Sequence, residues 1–235
     1  MPNPVYVALD TVNVNQAADL AIKLKGLVGG VKLGLEFFTA NGPAGIEAIT
    51  ELGVPVFLDL KFHDIPNTVA GAMRGIAPLA PRYTTIHATG GFAMMKAAAD
   101  AAREAADKVG RPRVKVLAVS ILTSMDQAAM EAVGFQGSVL DQVKRLAVLA
   151  QAAGIDGLVC SPHEVETVRS MVGDSLTLVV PGIRPAWAEA GDQKRVMTPK
   201  EARVRGADIL VIGRPITAAS YPADAAKRIL EELEG

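Results

Sequence analysis

The stretch that decides the fold runs from Val54 to Lys61 and reads VPVFLDLK. It is short, apolar and rich in β-branched and aromatic residues, which is typical of a buried strand. The carboxyl end of the run contains two charged residues, Asp59 and Lys61, which are two positions apart. Pro66 follows and can open a helix, since proline is tolerated in the first helical turn. A buried strand followed by a helix indicates a parallel α/β arrangement.

Similar runs recur along the chain. The eight strand candidates are Val5–Asp10, Gly30–Leu35, Val54–Lys61, Tyr83–Ala88, Val114–Leu122, Gly157–Ser161, Leu176–Gly182 and Ile209–Arg214. Segments with helical spacing lie between them. The helix candidates are a segment capped by Asn13 with Ala17, Leu20, Ala21 and Leu24 inward, then Gly45–Leu52, Asn67–Leu79, Gly91–Val109, a short helix in 126–134, Val139–Ala153, Pro162–Met171, Thr198–Arg205 and Tyr221–Leu233.

Eight strands that each precede a helix predict a (β/α)8 barrel, an α/β fold that commonly fills about 250 residues. We therefore expect one domain over residues 1–235. The alternative is an open doubly wound sheet, which would carry a glycine-rich turn after the first strand. Residues 10–13 read DTVN and contain no glycine. Residues 161–164 read SPHE and resemble a capping box at the start of a helix.

Composition excludes several classes of function. Lys and Arg number 24 and Asp and Glu number 25, so a nucleic-acid surface is not expected. No apolar run is long enough for a transmembrane helix, and the first residues lack the features of a signal peptide. Cys160 is the only cysteine, which excludes an internal disulfide or a cysteine metal cage. A lone thiol fits packing in a core and a reducing cytoplasm.

Charged side chains lie at the carboxyl ends of the first three predicted strands. They are Asp10, Lys32, Asp59 and Lys61. In a barrel of this type the carboxyl ends of the strands form the catalytic face. Side chains two apart on a strand project to the same side, so Asp59 and Lys61 should share one pocket, and Lys32 can reach it from the next strand. The alternative is a structural cluster of ion pairs at the barrel rim.

Other polar residues suggest a site for an anion. Gly213 and Arg214 close the eighth strand, and the seventh ends at residues 181–184, which read PGIR. Barrels often bind phosphate with the loops after strands seven and eight, and arginine offers a fork of donors. Thr123 follows the fifth strand. Asp64 lies beyond the third strand, where it could instead cap the helix that Pro66 opens.

The three histidines show no spacing for metal ligands and are more typical of packing or hydrogen bonding. They are His63, His87 and His163.

The combined motifs resemble those of the orotidine 5′-phosphate decarboxylase family. The most specific stretch is residues 57–68, FLDLKFHDIPNT. The other matching stretches are ALD at 8–10, VKLG at 31–34, HATGG at 87–91, LTS at 122–124, PGIR at 181–184, DQ at 192–193 and VIGR at 211–214. They occur in the family's order and cover essentially the whole chain.

The resemblance implies conversion of orotidine 5′-monophosphate to UMP and CO2, without a metal or an organic cofactor. It also implies a homodimer whose two sites lie at the subunit interface. Asp64, Ile65 and Thr68 would then enter the partner's site. The implied catalytic residues are Lys61, Asp59, Asp64 and Lys32, with Lys61 as the proton donor to C6. The implied substrate-binding residues are Asp10, Lys32, Asp59, Ile65, Thr68, Thr123, Arg184, Gln193, Gly213 and Arg214.

Two other functions remain open at this point. One is a phosphosugar decarboxylase with the same barrel, such as a keto-gulonate-phosphate decarboxylase, which shares Asp-x-Lys on strand three but uses magnesium. The other is a catalytically silent barrel that binds phosphate. The full HDIPNT run at 63–68 argues against the first, and intact Asp59 and Lys61 argue against the second.

Overall fold

The computed structural model of the chain describes residues 3–188 and 197–234. Eight parallel strands pair in chain order, and the last pairs with the first, so the sheet closes into a barrel. The strands are β1 (Val5–Ala8), β2 (Gly30–Gly34), β3 (Val56–Phe62), β4 (Tyr83–His87), β5 (Lys115–Val119), β6 (Gly157–Val159), β7 (Thr177–Pro181) and β8 (Ile209–Ile212).

Every strand is followed by at least one helix, which confirms the predicted (β/α)8 barrel and excludes the open sheet. The helices of the described residues are α1 (Val14–Leu24), α2 (Leu35–Thr50), α3 (Pro66–Ile76), α4 (Gly91–Val109), α5 (Gln127–Ala132), α6 (Val139–Ala152), α7 (Val165–Val172), α8 (Pro199–Val204), α9 (Arg214–Thr217) and α10 (Pro222–Glu234). None of them is both long and apolar enough to cross a membrane.

Alternate residues of the strands face two different apolar layers. Val5 and Val7 of β1 pack in the layer between barrel and helices, whereas Tyr6 and Ala8 point into the barrel. Both faces are therefore buried, which explains why the strands read as continuous apolar runs. The helices present their apolar faces to the outer layer, as α1 does with Ala17, and Leu20 of that helix is partly buried.

Three aromatic rings fill the barrel interior toward the amino ends of the strands. Tyr6, Phe57 and Tyr83 meet edge to face, with ring centroids 5.6 to 6.2 Å apart. Gly30 lies opposite Tyr6, and a Cβ there would stand 2.5 Å from the Tyr6 ring and 2.3 Å from the Pro55 carbonyl oxygen. The missing side chain of Gly30 therefore makes room for the aromatic cluster, which forms the floor of the space above it.

Two predicted helix starts are wrong. α2 begins at Leu35 rather than Gly45, although Gly42 breaks it with a φ of 60° and Pro43 opens its second half. α7 begins at Val165 rather than at residue 162. The predicted capping box before α7 is only half formed, because the carboxylate of Glu164 accepts from the backbone N–H of residue 161 without the reciprocal side-chain bond.

Candidate active site

A cavity of about 210 Å³ opens above the aromatic floor, at the carboxyl ends of the strands. Phe57 closes it below, and the charged side chains of β2 and β3 line one wall. The lining residues are Lys32, Phe57, Asp59, Lys61, Val119, Ile121, Leu122, Thr123, Val159, Cys160, Val179, Pro181 and Val211. The opposite wall is apolar, so this cavity suits a flat organic ring that meets charge on one side.

Asp59 is the centre of the charged wall. It is 8% exposed, and the Lys61 ammonium lies 2.9 Å from each of its carboxylate oxygens. The Lys32 ammonium lies 3.5 Å from Oδ2 of Asp59 and 3.8 Å from Oδ1 of the more exposed Asp10. The hydroxyl of Thr85 donates to Oδ1 of Asp59 at 2.8 Å. The predicted meeting of Asp10, Lys32, Asp59 and Lys61 is therefore present.

The electrostatics of this cluster keep Asp59 ionised. Burial by itself raises the pKa of the Asp59 carboxyl. The positive charges of Lys32 and Lys61, and hydrogen bonds from Lys61 and Thr85, outweigh burial and hold the pKa below its ordinary value. At neutral pH the cavity therefore contains one buried carboxylate between two ammonium groups.

A second cavity of about 470 Å³ continues from the first toward the ends of β7, β8 and β1. The two cavities share Lys32, Pro181 and Val211. The second is lined by Ala8, Asp10, Lys32, Pro181, Gly182, Ile183, Arg184, Val211, Gly213, Arg214 and Thr217. One elongated ligand could thus extend from Asp59 to the predicted phosphate-binding residues.

Two guanidinium groups lie close together in the second cavity. Burial, and then the positive charge of Arg214, lower the pKa of Arg184 from its ordinary value. The backbone N–H of Arg184 donates to the carbonyl of Met197 at 3.0 Å, which ties the β7 loop to the segment before α8. A phosphate dianion would relieve the repulsion between the two arginines. Gln193, the other predicted phosphate ligand, lies outside the described residues.

Asp64, Ile65 and Thr68 lie beyond the end of β3 and are exposed. Oδ1 of Asp64 accepts from the adjacent N–H of Ile65 at 2.6 Å, and α3 begins without a side-chain capping bond. The interpretation of Asp64 as a helix cap is therefore wrong. The described contacts of Asp64 do not include a member of the Asp59 cluster in its own chain.

The rings of His63 and His87, which sequence reasoning treated separately, lie against each other with centroids 5.3 Å apart and planes tilted by 41°. Burial, followed by the neighbouring His63 and Lys61, lowers the pKa of His87, while Asp59 opposes this shift. His87 therefore remains neutral at neutral pH. No three His, Cys, Asp or Glu side chains in residues 3–188 and 197–234 are grouped as a metal site would need.

Sequence reasoning missed two residues at this site. Thr85 binds Asp59 directly, and Cys160 lines the cavity. Thr85 could have been noticed as a polar residue in a buried strand, two positions from Tyr83 and therefore on the side that faces the barrel interior. Cys160 was expected to be buried in packing, and it is fully buried. Burial raises the pKa of its thiol, so the thiol is not a reactive nucleophile.

Comparison with known proteins accounts for this combination of barrel and charge cluster. A sequence model of the "Orotidine 5′-phosphate decarboxylase / HUMPS family" matches residues 3–229. The chain belongs to this family.

Curated relatives agree along the full length. The orotidine 5′-phosphate decarboxylase of Paramagnetospirillum magneticum is 64% identical over 233 residues, which are 99% of this chain and 99% of the relative. That of Rhodospirillum rubrum is 54% identical, over 99% of this chain and 95% of the relative. A crystal structure of orotidine 5′-phosphate decarboxylase from Lactobacillus acidophilus superposes with a TM-score of 0.87 at 39% identity, covering 99% of this chain and 100% of that one.

The lowered pKa of Asp59 predicts an acid-dependent loss of stability. Its carboxyl binds protons less readily in the folded state than in the unfolded state, so its contribution is complete above about pH 4 and is lost below it. We expect the unfolding free energy of the wild type to fall relative to that of Asp59→Asn as the pH drops through this range. Urea unfolding of both proteins from about pH 7 to about pH 3 measures the difference. Parallel pH profiles would contradict the assignment.

Proposed function

We propose that this chain converts orotidine 5′-monophosphate to UMP and CO2, the last step of de novo pyrimidine synthesis, without a metal or an organic cofactor. The observation that carries the proposal is the Asp59 cluster on one wall of a cavity that continues to Arg184 and Arg214. Membership of the family and the names of the relatives support the substrate and the reaction.

The chemistry requires a cation next to C6 of the pyrimidine. Loss of CO2 leaves an electron pair on a vinyl carbon that has no adjacent electron sink. The Lys61 ammonium supplies both a stabilising charge and a proton for that carbon. It lies at the cavity wall, already charged and held by Asp59. We assign it as the proton donor, so the electron pair of the broken C–C bond becomes the C6–H bond.

Asp59 has a second role beside the reacting carboxylate of the substrate. Because both groups are anionic, their proximity is unfavourable, and the repulsion ends when neutral CO2 leaves. The lowered pKa of Asp59 keeps its charge in place during binding. Stabilisation by the preorganised Lys61 ammonium is the larger contribution, since it acts on the charge that develops in the transition state.

The rest of the nucleotide fits the continuous cavity. Thr123 contacts the pyrimidine. Asp10 and Lys32 bind the ribose hydroxyls where the two cavities meet. Gly213, Arg214, Gln193 and Arg184 bind the phosphate. Binding energy from the phosphate, remote from C6, can then assist the chemistry.

The active form is a homodimer in which Asp64, Ile65 and Thr68 of each subunit enter the partner's site. Their exposure in the single chain supports this arrangement, since Ile65 is an apolar residue that is 66% exposed. Other exposed apolar residues follow β1, β2 and β4 on the same barrel face, namely Val12, Leu35 and Phe92. Exposed apolar residues that share one face are typical of a protein interface. The partner's Asp64 completes the network by orienting Lys61.

We further propose that residues 1–235 form a single domain that acts in the cytoplasm. The pairing of β1 with β8 supports the first point, because the two ends of the chain build the same barrel. The lone buried thiol of Cys160 supports the second, because it fits a reducing compartment.

We expect the purified chain to decarboxylate orotidine 5′-monophosphate in the presence of EDTA, measured by the loss of substrate absorbance. Lys61→Ala should lower kcat by at least about 1,000-fold, because it removes the proton donor. Equilibrium binding of UMP to Lys61→Ala should persist, because the phosphate contacts are intact.

Lys108→Ala is the matched control, since Lys108 is exposed at the far end of α4 from the barrel mouth. Absence of turnover by the wild type would refute the proposed reaction. Activity that EDTA abolishes would favour the magnesium-dependent phosphosugar decarboxylase. Substantial turnover by Lys61→Ala would refute the donor role.

The shared site predicts complementation between inactive dimers. Mixing Lys61→Ala with Asp64→Ala dimers should restore about one quarter of wild-type activity at full random exchange, because each heterodimer has one intact site. Mixing Lys61→Ala with Asp59→Ala should restore none, because both residues come from the same chain. Native mass spectrometry verifies the exchange. Verified heterodimers of the first pair without activity would rule out a site built across the interface.

A further inference from the structure

Thr85 lies on β4 and is completely buried inside the barrel. Its hydroxyl donates a hydrogen bond to Oδ1 of Asp59 at 2.8 Å. The Thr85 hydroxyl oxygen in turn accepts a hydrogen bond from the backbone N–H of Lys61, also at 2.8 Å. One buried hydroxyl therefore contacts both residues of β3 to which the decarboxylation is assigned.

The strand around Lys61 is irregular. β3 and β4 pair in register up to Leu58, and pairing resumes at Phe62 with a shift. Between these two positions β4 contributes one residue, Thr85, whereas β3 contributes residues 59–61. A bulge of this kind interrupts the backbone ladder and redirects side chains. The Thr85 hydroxyl takes the place of a ladder acceptor for the N–H of Lys61.

Lys61 also has an unusual backbone conformation, with a φ of 51°. Positive φ is uncommon for residues other than glycine and persists only where the surroundings hold it. Within the described residues, the only other such residue is Ala80, in a turn outside the site. The bond from the Lys61 N–H to Thr85 is therefore part of what maintains the bulge, and with it the position of the Lys61 ammonium.

The orientation of the Thr85 hydroxyl is determined by its neighbours. The backbone N–H of Lys61 can only donate, and the ionised carboxylate of Asp59 can only accept. The hydroxyl proton must consequently point at Asp59, and a lone pair must point at Lys61. This arrangement fixes the carboxylate and the lysine backbone relative to each other.

We propose that Thr85 is a positioning residue for the decarboxylation: its hydroxyl holds the Asp59 carboxylate and the strained backbone of Lys61 in their reactive arrangement. The inference rests on the proposed function of the site. Thr85 is separate from the residues assigned to the phosphate and the ribose. Removal of its hydroxyl should therefore lower kcat and leave KM nearly unchanged.

The adjacent Thr84 provides a matched control. It is equally buried, and its hydroxyl also binds β3, donating to the carbonyl of Leu58 at 2.9 Å. By the alternation of the strand its side chain faces the helical layer, away from the cavity. Replacing either threonine by valine removes one buried hydroxyl together with its hydrogen bonds to β3. A difference between the two valine variants therefore reports the contact with Asp59 and Lys61 rather than the general loss of a buried hydrogen bond.

The experiment compares kcat, KM and thermal unfolding of the wild type with Thr85→Val, Thr85→Ser and Thr84→Val. We expect Thr85→Val to lower kcat by about 10- to 100-fold, as small misplacements of reacting groups do, with KM changed by less than about threefold. Thr85→Ser should recover kcat to within about threefold of the wild type, because it restores the hydroxyl without the methyl group that restricts χ1. Thr84→Val should keep the wild-type kcat even if its Tm falls.

Amide hydrogen exchange of Lys61 supplies a readout that does not depend on turnover. Exchange should be faster in Thr85→Val than in the wild type, Thr85→Ser or Thr84→Val. If the wild type shows no turnover, the proposed function fails, and the exchange measurement alone decides whether Thr85 holds Lys61. If Thr85→Val does not fold, Thr85→Cys, whose thiol is a weaker donor, replaces it. Folded Thr85→Val with wild-type kcat, equal losses in both valine variants, or unchanged Lys61 exchange would overturn the inference.

Discussion

The ionised carboxylate of Asp59, buried in a largely apolar barrel, is the constraint on which the site depends. An isolated ion there would cost several kcal/mol, so it must be paired and hydrogen-bonded. Lys61, Lys32 and Thr85 meet this need from three neighbouring strands. The ammonium groups that neutralise Asp59 thereby face the cavity, charged and fixed before any substrate arrives. For the proposed reaction, which develops negative charge on carbon, the same pairing that stabilises the buried carboxylate supplies a cation at the cavity wall.

Closure of the barrel joins this cluster to the proposed phosphate site. β1 pairs with both β2 and β8, so Asp10 stands between Lys32 and the loop that contains Gly213 and Arg214. Residues distant in sequence therefore line one continuous space that extends from Asp59 to Arg184 and Arg214. The aromatic floor formed by Tyr6 and its neighbours limits the depth of this space.

The sequence predicts the fold well because burial on both faces makes most of the strands read as short apolar runs. The first residues of the helices were harder to predict. In α2, for example, Gly42 interrupts the helix internally, so that only its second half was predicted. The predicted contact of Asp59 with Lys61 is present, but the simple alternation behind it is not, since a bulge and a positive φ intervene. Thr85 escaped prediction because its role depends on strand register. The role of Asp64 escaped local reasoning because its proposed contacts lie in another subunit.

The most direct test of the account is a crystal structure of this chain with UMP bound. We expect C6 of the pyrimidine to lie about 3–3.5 Å from Nζ of Lys61, the reach expected for reacting atoms. We also expect the phosphate at Gly213 and Arg214, and Asp64 of the partner subunit beside Lys61. A pyrimidine bound away from Lys61, or a site completed by one chain alone, would contradict it.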